Sequence, residues 1–258
     1  MAKNDPRQIL AQARRFAEDL SLFEGRHFIV PKESAALASV SNIVDSSGKE
    51  APVAEGENAA TPMAVGSLVA FDQGDALDAF REEICECTRC TLEANRNQFV
   101  FGSGNPDAGI MFVGEAPGAD EDQSGLPFVG AAGQLLTKII EAMGLPREEV
   151  YICNILKCRP PNNRDPQPEE IAQCEPYLKR QIELVQPRVL CTLGRFAAQT
   201  LLRSNLTMGR LRQSEHSYEG IPLVATYHPA ALLRNPQWKR PTWEDIKKVR
   251  RLYDGVAL

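Results

Sequence analysis

The chain has 258 residues, of which 43% are hydrophobic and 24% charged, so it is long enough for one large domain or for one domain with an appendage. No apolar run approaches the length that crosses a bilayer, which excludes a membrane-spanning helix. The N terminus lacks the hydrophobic segment of a signal peptide, and we therefore expect a cytoplasmic protein.

The net charge of −5 hides an uneven distribution of charged residues. Residues 1–80 hold 7 Lys/Arg and 12 Asp/Glu, whereas residues 151–213 hold 10 and 5, and residues 228–258 hold 7 and 3. Phosphate binding depends on local positive charge rather than on the whole-chain sum. The C-terminal part is therefore compatible with a nucleic-acid partner, although a solvated surface of mixed charge would have a similar composition.

The N-terminal region differs in character from the rest of the chain. Apolar residues recur at helical spacing in residues 6–24, which predicts an amphipathic helix. Residues 33–68 are rich in Ala, Ser, Gly, Glu and Pro without periodicity, a composition that favours a disordered linker. We expect this helix and linker to occupy residues 1–75 and the main domain to occupy residues 76–258. The helix would contact a protein partner or pack on its own domain.

The remaining residues alternate short apolar strands with helices. Predicted strands cover residues 110–113, 150–153, 188–193 and 222–226, and predicted helices cover residues 76–86, 131–143, 168–185, 195–203 and 242–254. Continuous apolar strands separated by helices are typical of a parallel sheet covered on both faces. We predict an α/β fold, a three-layer α/β/α sandwich with a central four-stranded parallel sheet. Its ligand site would lie at the carboxyl ends of the strands.

Polar side chains follow three of these strands. Glu115 comes after the first strand, Asn154 after the second and His228 after the fourth. An amide can read one edge of a pyrimidine, a histidine can stabilise a departing oxyanion, and a carboxylate can stabilise a sugar cation. Phe128 could stack on a base. The ordinary alternatives are a helix cap for Glu115, loop positions for Asn154 and His228, and a core position for Phe128.

Seven cysteines in a chain without an export signal favour a metal site with a few buried thiols over a disulfide scaffold. Four of them are candidate ligands: Cys87 and Cys90, which form a C-x2-C pair, and Cys158 and Cys174. Their spacing suits either zinc or a [4Fe–4S] cluster and does not distinguish the two. Cys85 is a competing ligand, whereas Cys153 and Cys191 fall within predicted strands and are expected to be buried.

Taken together and in order, these motifs resemble the bacterial and archaeal iron–sulfur uracil-DNA glycosylases, usually called family 4. The resemblance runs from about Cys87 to Leu252. It is carried by Cys87-Thr88-Arg89-Cys90, Phe101-Gly102-Ser103-Gly104-Asn105-Pro106, Gly114-Glu115-Ala116-Pro117-Gly118, Pro127-Phe128-Val129-Gly130, Asn154, Lys157-Cys158-Arg159-Pro160-Pro161 and His228-Pro229-Ala230.

The resemblance implies a [4Fe–4S] cluster and a role for each matching residue. The implied cluster ligands are Cys87, Cys90, Cys158 and Cys174. Glu115 and Glu121 would lie near the reacting sugar and its water, and His228 would stabilise the departing uracil anion. Phe128 would stack on uracil and Asn154 would read its edge. The remaining implied contacts are the substrate-binding residues Gly114, Ala116, Pro117 and Gly118, and the residues that enter the DNA stack, Leu232, Leu233 and Arg234.

The implied activity is hydrolysis of the N-glycosidic bond of deoxyuridine in single- or double-stranded DNA by a monomeric enzyme. A related branch bonds covalently to its abasic product through a histidine in an inserted basic loop. The segment between Cys158 and Cys174 has neither the histidine nor the insert, so we do not expect that chemistry. The alternatives are an iron–sulfur electron carrier and a zinc-containing DNA-binding module, but both leave the residues at the strand ends unexplained.

Overall fold

The computed structural model describes residues 73–255, so the predicted helix at 6–24 and the linker at 33–68 lie outside the described residues. The strands are β1 (Ser103–Gly104), β2 (Ile110–Gly114), β3 (Tyr151–Asn154), β4 (Val189–Leu193), β5 (His216–Tyr218) and β6 (Ile221–Thr226). The α-helices are α1 (Gln73–Ile84), α2 (Ala119–Ser124), α3 (Ala131–Ala142), α4 (Pro168–Val185), α5 (Arg195–Leu202), α6 (Met208–Leu211), α7 (Pro229–Arg234) and α8 (Lys239–Tyr253). In this part of the chain no helix is both long and apolar enough to cross a membrane.

The strands form one mixed sheet in the order β1-β3-β2-β4-β6-β5. The four central strands are parallel, as the sequence predicts, and the short outer strands β1 and β5 pair antiparallel with β3 and β6. The prediction missed both outer strands because segments of two and three residues are too short to show an alternating pattern. It also missed the short helices α2, α6 and α7.

Helices cover both faces of the sheet, which confirms the three-layer α/β/α architecture. Met111 and Val113 of β2 lie in a core shared with α1, α4 and α5. Ile110 and Phe112 of the same strand lie in a second core shared with α3 and α8. Successive side chains of a strand point to opposite faces, so one apolar strand contributes to both cores. Full burial of such a side chain contributes about 1.5–3 kcal/mol.

Helix α4 begins and ends where the sequence predicts. Pro168 occupies its first position, and a carboxylate oxygen of Glu170 accepts the backbone N–H of Gln167 at 2.8 Å, which caps the helix. Arg164 donates to both oxygens of Glu170, at 2.6 and 2.9 Å, and lowers the pKa of that carboxyl group. This ion pair fastens the segment 159–167 to the start of the helix.

The register of the parallel strands decides where the chain leaves the sheet. Gly114 at the end of β2 pairs with Asn154 at the end of β3, and Leu193 of β4 pairs with Thr226 of β6. The segments that follow these strands therefore emerge along one edge of the sheet. The polar residues of the sequence motifs are carried on these segments.

Candidate active site

A cavity of about 380 Å³ opens at this edge, within the size range of small-molecule sites. It is lined by Glu115, Ala116, Pro117, Gly118, Glu121, Phe128, Ala132, Asn154, Pro160, Asn163, Arg164, Asp165, His228, Ala230 and Arg234. The structure thus brings together the residues that follow β2, β3 and β6. Among the residues predicted to contact uracil or DNA, three do not line the cavity: Gly114, Leu232 and Leu233.

Gly114 lies directly behind two of the lining side chains. A Cβ atom at this position would overlap Oδ1 of Asn154 and lie 2.6 Å from Cζ of Phe128. The Phe128 backbone has a left-handed φ of 54°, and a Cβ at Gly133 would overlap its peptide. The glycines at 114 and 133 therefore let the aromatic ring and the amide close the inner end of the cavity.

Asn154 is 2% exposed, and its Oδ1 has no hydrogen-bond partner among the described residues. Its backbone carbonyl, in contrast, accepts a hydrogen bond of 2.7 Å from Nζ of Lys157. Buried polar atoms are nearly always satisfied in folded proteins. Asn154 lines the cavity, so this unpartnered acceptor belongs to a side chain at the cavity wall.

Glu115 is half-buried, and its pKa is raised to about 7. Burial is the largest cause, the negative charge of Asp165 adds to it, and the positive charge of Arg195 opposes it. Arg195 and Asp165 themselves form an exposed ion pair at 3.4 Å. The Glu115 carboxyl group thus changes protonation state near neutral pH, where a group can both accept and release a proton.

The two oxygens of Glu121 are engaged by the protein backbone. One accepts the N–H of Gly118 at 3.0 Å, which caps α2, and the other accepts the N–H groups of Val129 and Gly130 at 2.9 and 3.0 Å. The carboxylate therefore joins the segment after β2 to the segment that carries Phe128. This arrangement holds the cavity wall in place and leaves the side chain few free acceptor positions for water.

His228 caps the N terminus of α7, where its Nδ1 accepts the backbone N–H of Ala230 at 3.2 Å. Because Nδ1 accepts, the proton of the neutral ring resides on Nε2. Burial and the charge of Arg234 lower the pKa of the ring to about 4. The ring centre lies 5.5 Å from that of Phe128, tilted by 32°. At neutral pH this histidine is an uncharged hydrogen-bond donor.

The predicted DNA-contacting segment divides into two environments. Leu232 is 1% exposed and belongs to the core beneath the sheet, whereas Leu233 is 50% exposed and Arg234 lines the cavity. A buried leucine cannot enter a base stack without leaving the core. Of this segment, Leu233 and Arg234 are the side chains exposed to a molecule that approaches the cavity.

Cys87 and Cys158, which are far apart in sequence, share a hydrogen-bonding neighbour. One guanidinium nitrogen of Arg96 donates to the Cys158 sulfur at 3.4 Å and to the Cys87 carbonyl at 2.8 Å. The hydroxyl of Tyr177 and the backbone N–H of Arg89 contact the Cys87 sulfur at 3.2 and 3.4 Å. Burial raises the pKa of the Cys158 thiol, Arg96 opposes that rise, and Cys90 and Cys87 add to it.

Cys174 belongs to the same neighbourhood. Its sulfur accepts the backbone N–H of Lys157 at 3.3 Å. Burial raises its pKa to about 12, the Lys157 charge opposes the rise, and the nearby Cys158 and Cys90 add to it. The four cysteines of the predicted ligand set therefore lie close enough to influence one another electrostatically.

The other cysteines are separate from this set. Cys153 and Cys191 are fully buried in β3 and β4, as predicted, and the sulfur of Cys85 contacts the Glu82 carbonyl at 3.3 Å. Cys85 thus lies against its own helix. Within residues 73–255, no three His, Cys, Asp or Glu side chains are arranged to hold a single metal ion.

Comparison with known proteins agrees with this fold. Residues 101–247 match the family model described as the uracil DNA glycosylase superfamily. A type-4 uracil-DNA glycosylase of Archaeoglobus fulgidus is 46% identical over 69% of this chain and 94% of its own length. One of Thermotoga maritima is 41% identical over 70% and 96%. A type-5 uracil-DNA glycosylase of Thermus thermophilus is 33% identical over 72% and 93%. The chain belongs to the uracil DNA glycosylase superfamily, within its type-4 group.

Sequence reasoning missed several residues of the cavity. Asn163, Arg164 and Asp165 line it, and they follow Cys158 by five to seven positions. No strand precedes them directly, so the rule that places sites after strands does not select them. The sequence feature that could have indicated them is the Pro- and Asn-rich segment 160–163, which is typical of a tight loop. Asn162 and Asn163 in this segment adopt left-handed φ values of 55° and 52°.

Proposed function

We propose that this protein hydrolyses the N-glycosidic bond between uracil and deoxyribose in DNA, releasing uracil and leaving an abasic site. The observation that carries the proposal is the unsatisfied Oδ1 of Asn154 beside the Phe128 ring at the inner end of the cavity. Uracil presents an N–H donor next to a carbonyl acceptor, which matches the acceptor and donor of a side-chain amide. Phe128 would stack on the base.

The same amide provides selectivity among pyrimidines. Cytosine presents an acceptor and an amino donor where uracil has a donor and an acceptor, so the Asn154 orientation that fits uracil opposes cytosine. Sites that hydrogen-bond a substrate discriminate strongly because a mismatched base leaves buried polar groups unpaired. We attribute the exclusion of thymine to contact between its 5-methyl group and the cavity wall.

His228 and Glu115 would act on the bond that breaks. The Nε2–H of the neutral His228 would donate to the uracil carbonyl oxygen as negative charge develops on the leaving base. The ionised Glu115 would stabilise the positive charge of the sugar and accept a proton from the attacking water. For Glu121, whose oxygens are held by three backbone N–H groups, we propose a positioning role instead of contact with the water.

DNA would approach the open side of the cavity. Arg234 lines it and supplies positive charge for phosphates, and the exposed Leu233 lies next to Arg234 at the end of α7. We propose that Leu233 fills the space left by the extruded nucleotide. Extrusion costs a few kcal/mol, and less from a single strand or a mispair. Uracil in single-stranded DNA and uracil opposite guanine should therefore be good substrates.

We further propose that Cys87, Cys90, Cys158 and Cys174 bind a [4Fe–4S] cluster. The donor set suits it: four thiols without disulfides, with N–H or O–H donors directed at three of the sulfurs. Tetrahedral zinc would use the same four thiolates at about 2.3 Å from a single ion, so the absorbance spectrum and the metal content of the protein distinguish the two. When bound, the cluster would link the segment 87–90 to the loop at 158 and to α4, and would add a redox-active group.

Cys158 also leads directly into the cavity wall. Pro160, Asn163, Arg164 and Asp165 follow it and line the site. A cluster that anchors Cys158 would therefore hold the start of this wall, while the ion pair between Arg164 and Glu170 holds its other end. This arrangement gives the cluster a supporting role in the shape of the active site.

We propose a monomeric cytoplasmic enzyme, with the glycosylase domain in residues 76–258 and a partner-binding helix in residues 6–24. The proposal of partner binding rests on the amphipathic sequence of this helix and on the low-complexity linker that follows it. Removal of residues 1–75 should leave uracil release from short oligonucleotides unchanged.

The function is tested on one sample purified without oxygen. Its absorbance spectrum is recorded, and the protein is then incubated with a uracil-containing oligonucleotide that is treated with alkali to cleave abasic sites. A broad band near 400 nm and strand cleavage at uracil are expected. A brown protein that never produces an abasic site would refute the glycosylase and favour an electron carrier. A colourless protein that contains zinc and cleaves at uracil would refute the cluster alone.

A further inference from the structure

Lys157 connects the cysteine site to the base-reading end of the cavity. Its side chain is 0% exposed. Its Nζ donates to the carbonyl oxygen of Asn154 at 2.7 Å and to Oε1 of Gln181 at 2.5 Å. Its backbone N–H donates to the sulfur of Cys174 at 3.3 Å. Lys157 thus contacts both Asn154, which has the unsatisfied amide oxygen, and Cys174, a candidate cluster ligand.

The positive charge of this lysine has no carboxylate partner. None of the ion pairs among residues 73–255 includes Lys157, and both hydrogen-bond acceptors of its Nζ are neutral. A buried ammonium is strongly unfavourable unless a negative charge compensates it. We therefore expect a compensating negative charge to come from another group near Lys157.

Lys157 lies between two members of the proposed ligand set. It precedes Cys158 in the sequence, and its backbone N–H donates to the sulfur of Cys174. Ligation to iron converts a thiol to a thiolate. Iron binding would therefore place negative charge on the two cysteines that adjoin the residue with the buried ammonium.

We propose that Lys157 is a positioning residue that balances the charge of the cluster ligated by Cys174 and, with the same ammonium group, fixes the Asn154 peptide. This inference rests on the proposed cluster and on the proposed uracil-reading role of Asn154. It gives the cluster a direct route to the base-reading strand end, through the backbone hydrogen bond of Lys157 to Cys174 and its side-chain hydrogen bond to the Asn154 carbonyl. Groups of this kind behind a metal ligand commonly change affinity or activity by about 10- to 100-fold.

The neighbouring Gln181 provides a matched control. Its amide accepts from Lys157 and donates to the Phe101 carbonyl at 2.9 Å and to the Tyr151 hydroxyl at 3.1 Å. Gln181→Leu therefore disturbs the same buried network but keeps the positive charge and its contact with Asn154. A change that follows from general loosening of the core would occur in this variant as well.

The test compares Lys157→Met, which removes the charge and the donors, with Lys157→Gln, which removes the charge but keeps an amide donor. The cluster-loaded proteins are measured for cluster reduction potential and for kcat/KM of uracil release. Loss of a nearby positive charge disfavours the reduced, more negative cluster, so the potential should become more negative in both variants and stay unchanged in Gln181→Leu. Lys157→Met should also lose about 10- to 100-fold in kcat/KM.

An unchanged potential in folded, cluster-loaded Lys157→Met and Lys157→Gln would overturn the charge-balancing role, and wild-type kcat/KM in Lys157→Met would overturn the positioning role. If neither neutral variant folds, a folded, cluster-loaded Lys157→Arg would support the need for charge at this site. Failure of that variant as well would contradict it. A wild-type protein that releases no uracil would refute the proposed function separately, because the comparison of potentials does not depend on it.

Discussion

Oδ1 of Asn154 occupies the space in which a side chain at residue 114 would begin, because Gly114 and Asn154 pair across the parallel strands β2 and β3. Asn154 can therefore close the inner end of the cavity only because residue 114 has no Cβ atom. The same absence leaves room for the Phe128 ring. The position of the Asn154 amide therefore depends directly on the backbone of residue 114.

Gly114→Ala should displace both Asn154 and Phe128 and lower kcat/KM for uracil release by about 10²-fold or more, the size of effect expected when a positioned group is moved by about 1 Å. Steady-state kinetics with a uracil-containing oligonucleotide measure the change. Gly209→Ala is the matched control, because a Cβ at Gly209 meets nothing within 4 Å. Equal activity of the two variants would show that the Gly114 contact does not shape the site.

Uracil release should depend on pH through Glu115, whose pKa is about 7. If the carboxylate form is required, kcat/KM falls as the pH drops through about 7. Asp165→Asn removes a like charge, lowers the Glu115 pKa and should move this fall to lower pH. Arg195→Met removes an opposite charge and should move it to higher pH. Profiles that shift together, or not at all, would exclude Glu115 as the titrating group.

His228→Ala should lower the rate of uracil release by about 10²–10³-fold, the usual loss for a preorganised donor. Because the pKa of His228 is about 4, the wild-type profile should show no ionisation of this ring between pH 5.5 and about 9. His216 in β5, whose Nε2 lies 2.7 Å from the Leu211 carbonyl, supplies the control. His216→Gln should retain activity, and a comparable loss there would indicate a general effect of histidine removal.

Glu121→Gln and Glu115→Gln should separate positioning from chemistry. A glutamine at 121 cannot accept all three backbone N–H groups, so this variant should lose about 1–3 kcal/mol of unfolding free energy along with activity. A glutamine at 115 should lose activity without loss of stability, since burial already disfavours its charge. Denaturant unfolding and kinetics on both proteins measure the difference. A fully stable, inactive Glu121→Gln would restore a direct catalytic role.

Leu233→Ala should reduce uracil release from duplex DNA more than from single-stranded DNA, because a vacated base stack exists only in the duplex. Leu232→Ala should instead destabilise the fold by about 2–5 kcal/mol, as expected for a core leucine. Leu206→Ala, at a leucine that is 43% exposed and lies outside the cavity lining, is the surface control. Equal losses on both substrates would contradict a role for Leu233 in the stack.

The α/β layering and its parallel central sheet could be read from the sequence, because apolar strands such as 110–113 alternate with helical periodicity over many residues. The start of α4 could also be predicted from the sequence, because Pro168 and Glu170 specify its first turn. Strands β1 and β5 were not readable. Segments of two and three residues carry no periodicity, and pairing with β3 and β6 alone makes them strands.

For the site, the residue types at the strand ends were visible in the sequence, but their interactions were not. Glu115 and Glu121 have the same side chain, yet burial raises the pKa of Glu115, whereas three backbone N–H groups donate to Glu121. Leu232 and Leu233 are identical and adjacent, yet one is in the core and the other in solvent. Local sequence patterns determine which elements form, whereas burial, hydrogen bonding and charge depend on distant segments. The partners of Lys157 and the segment 163–165 of the cavity wall were therefore decided only by the tertiary structure.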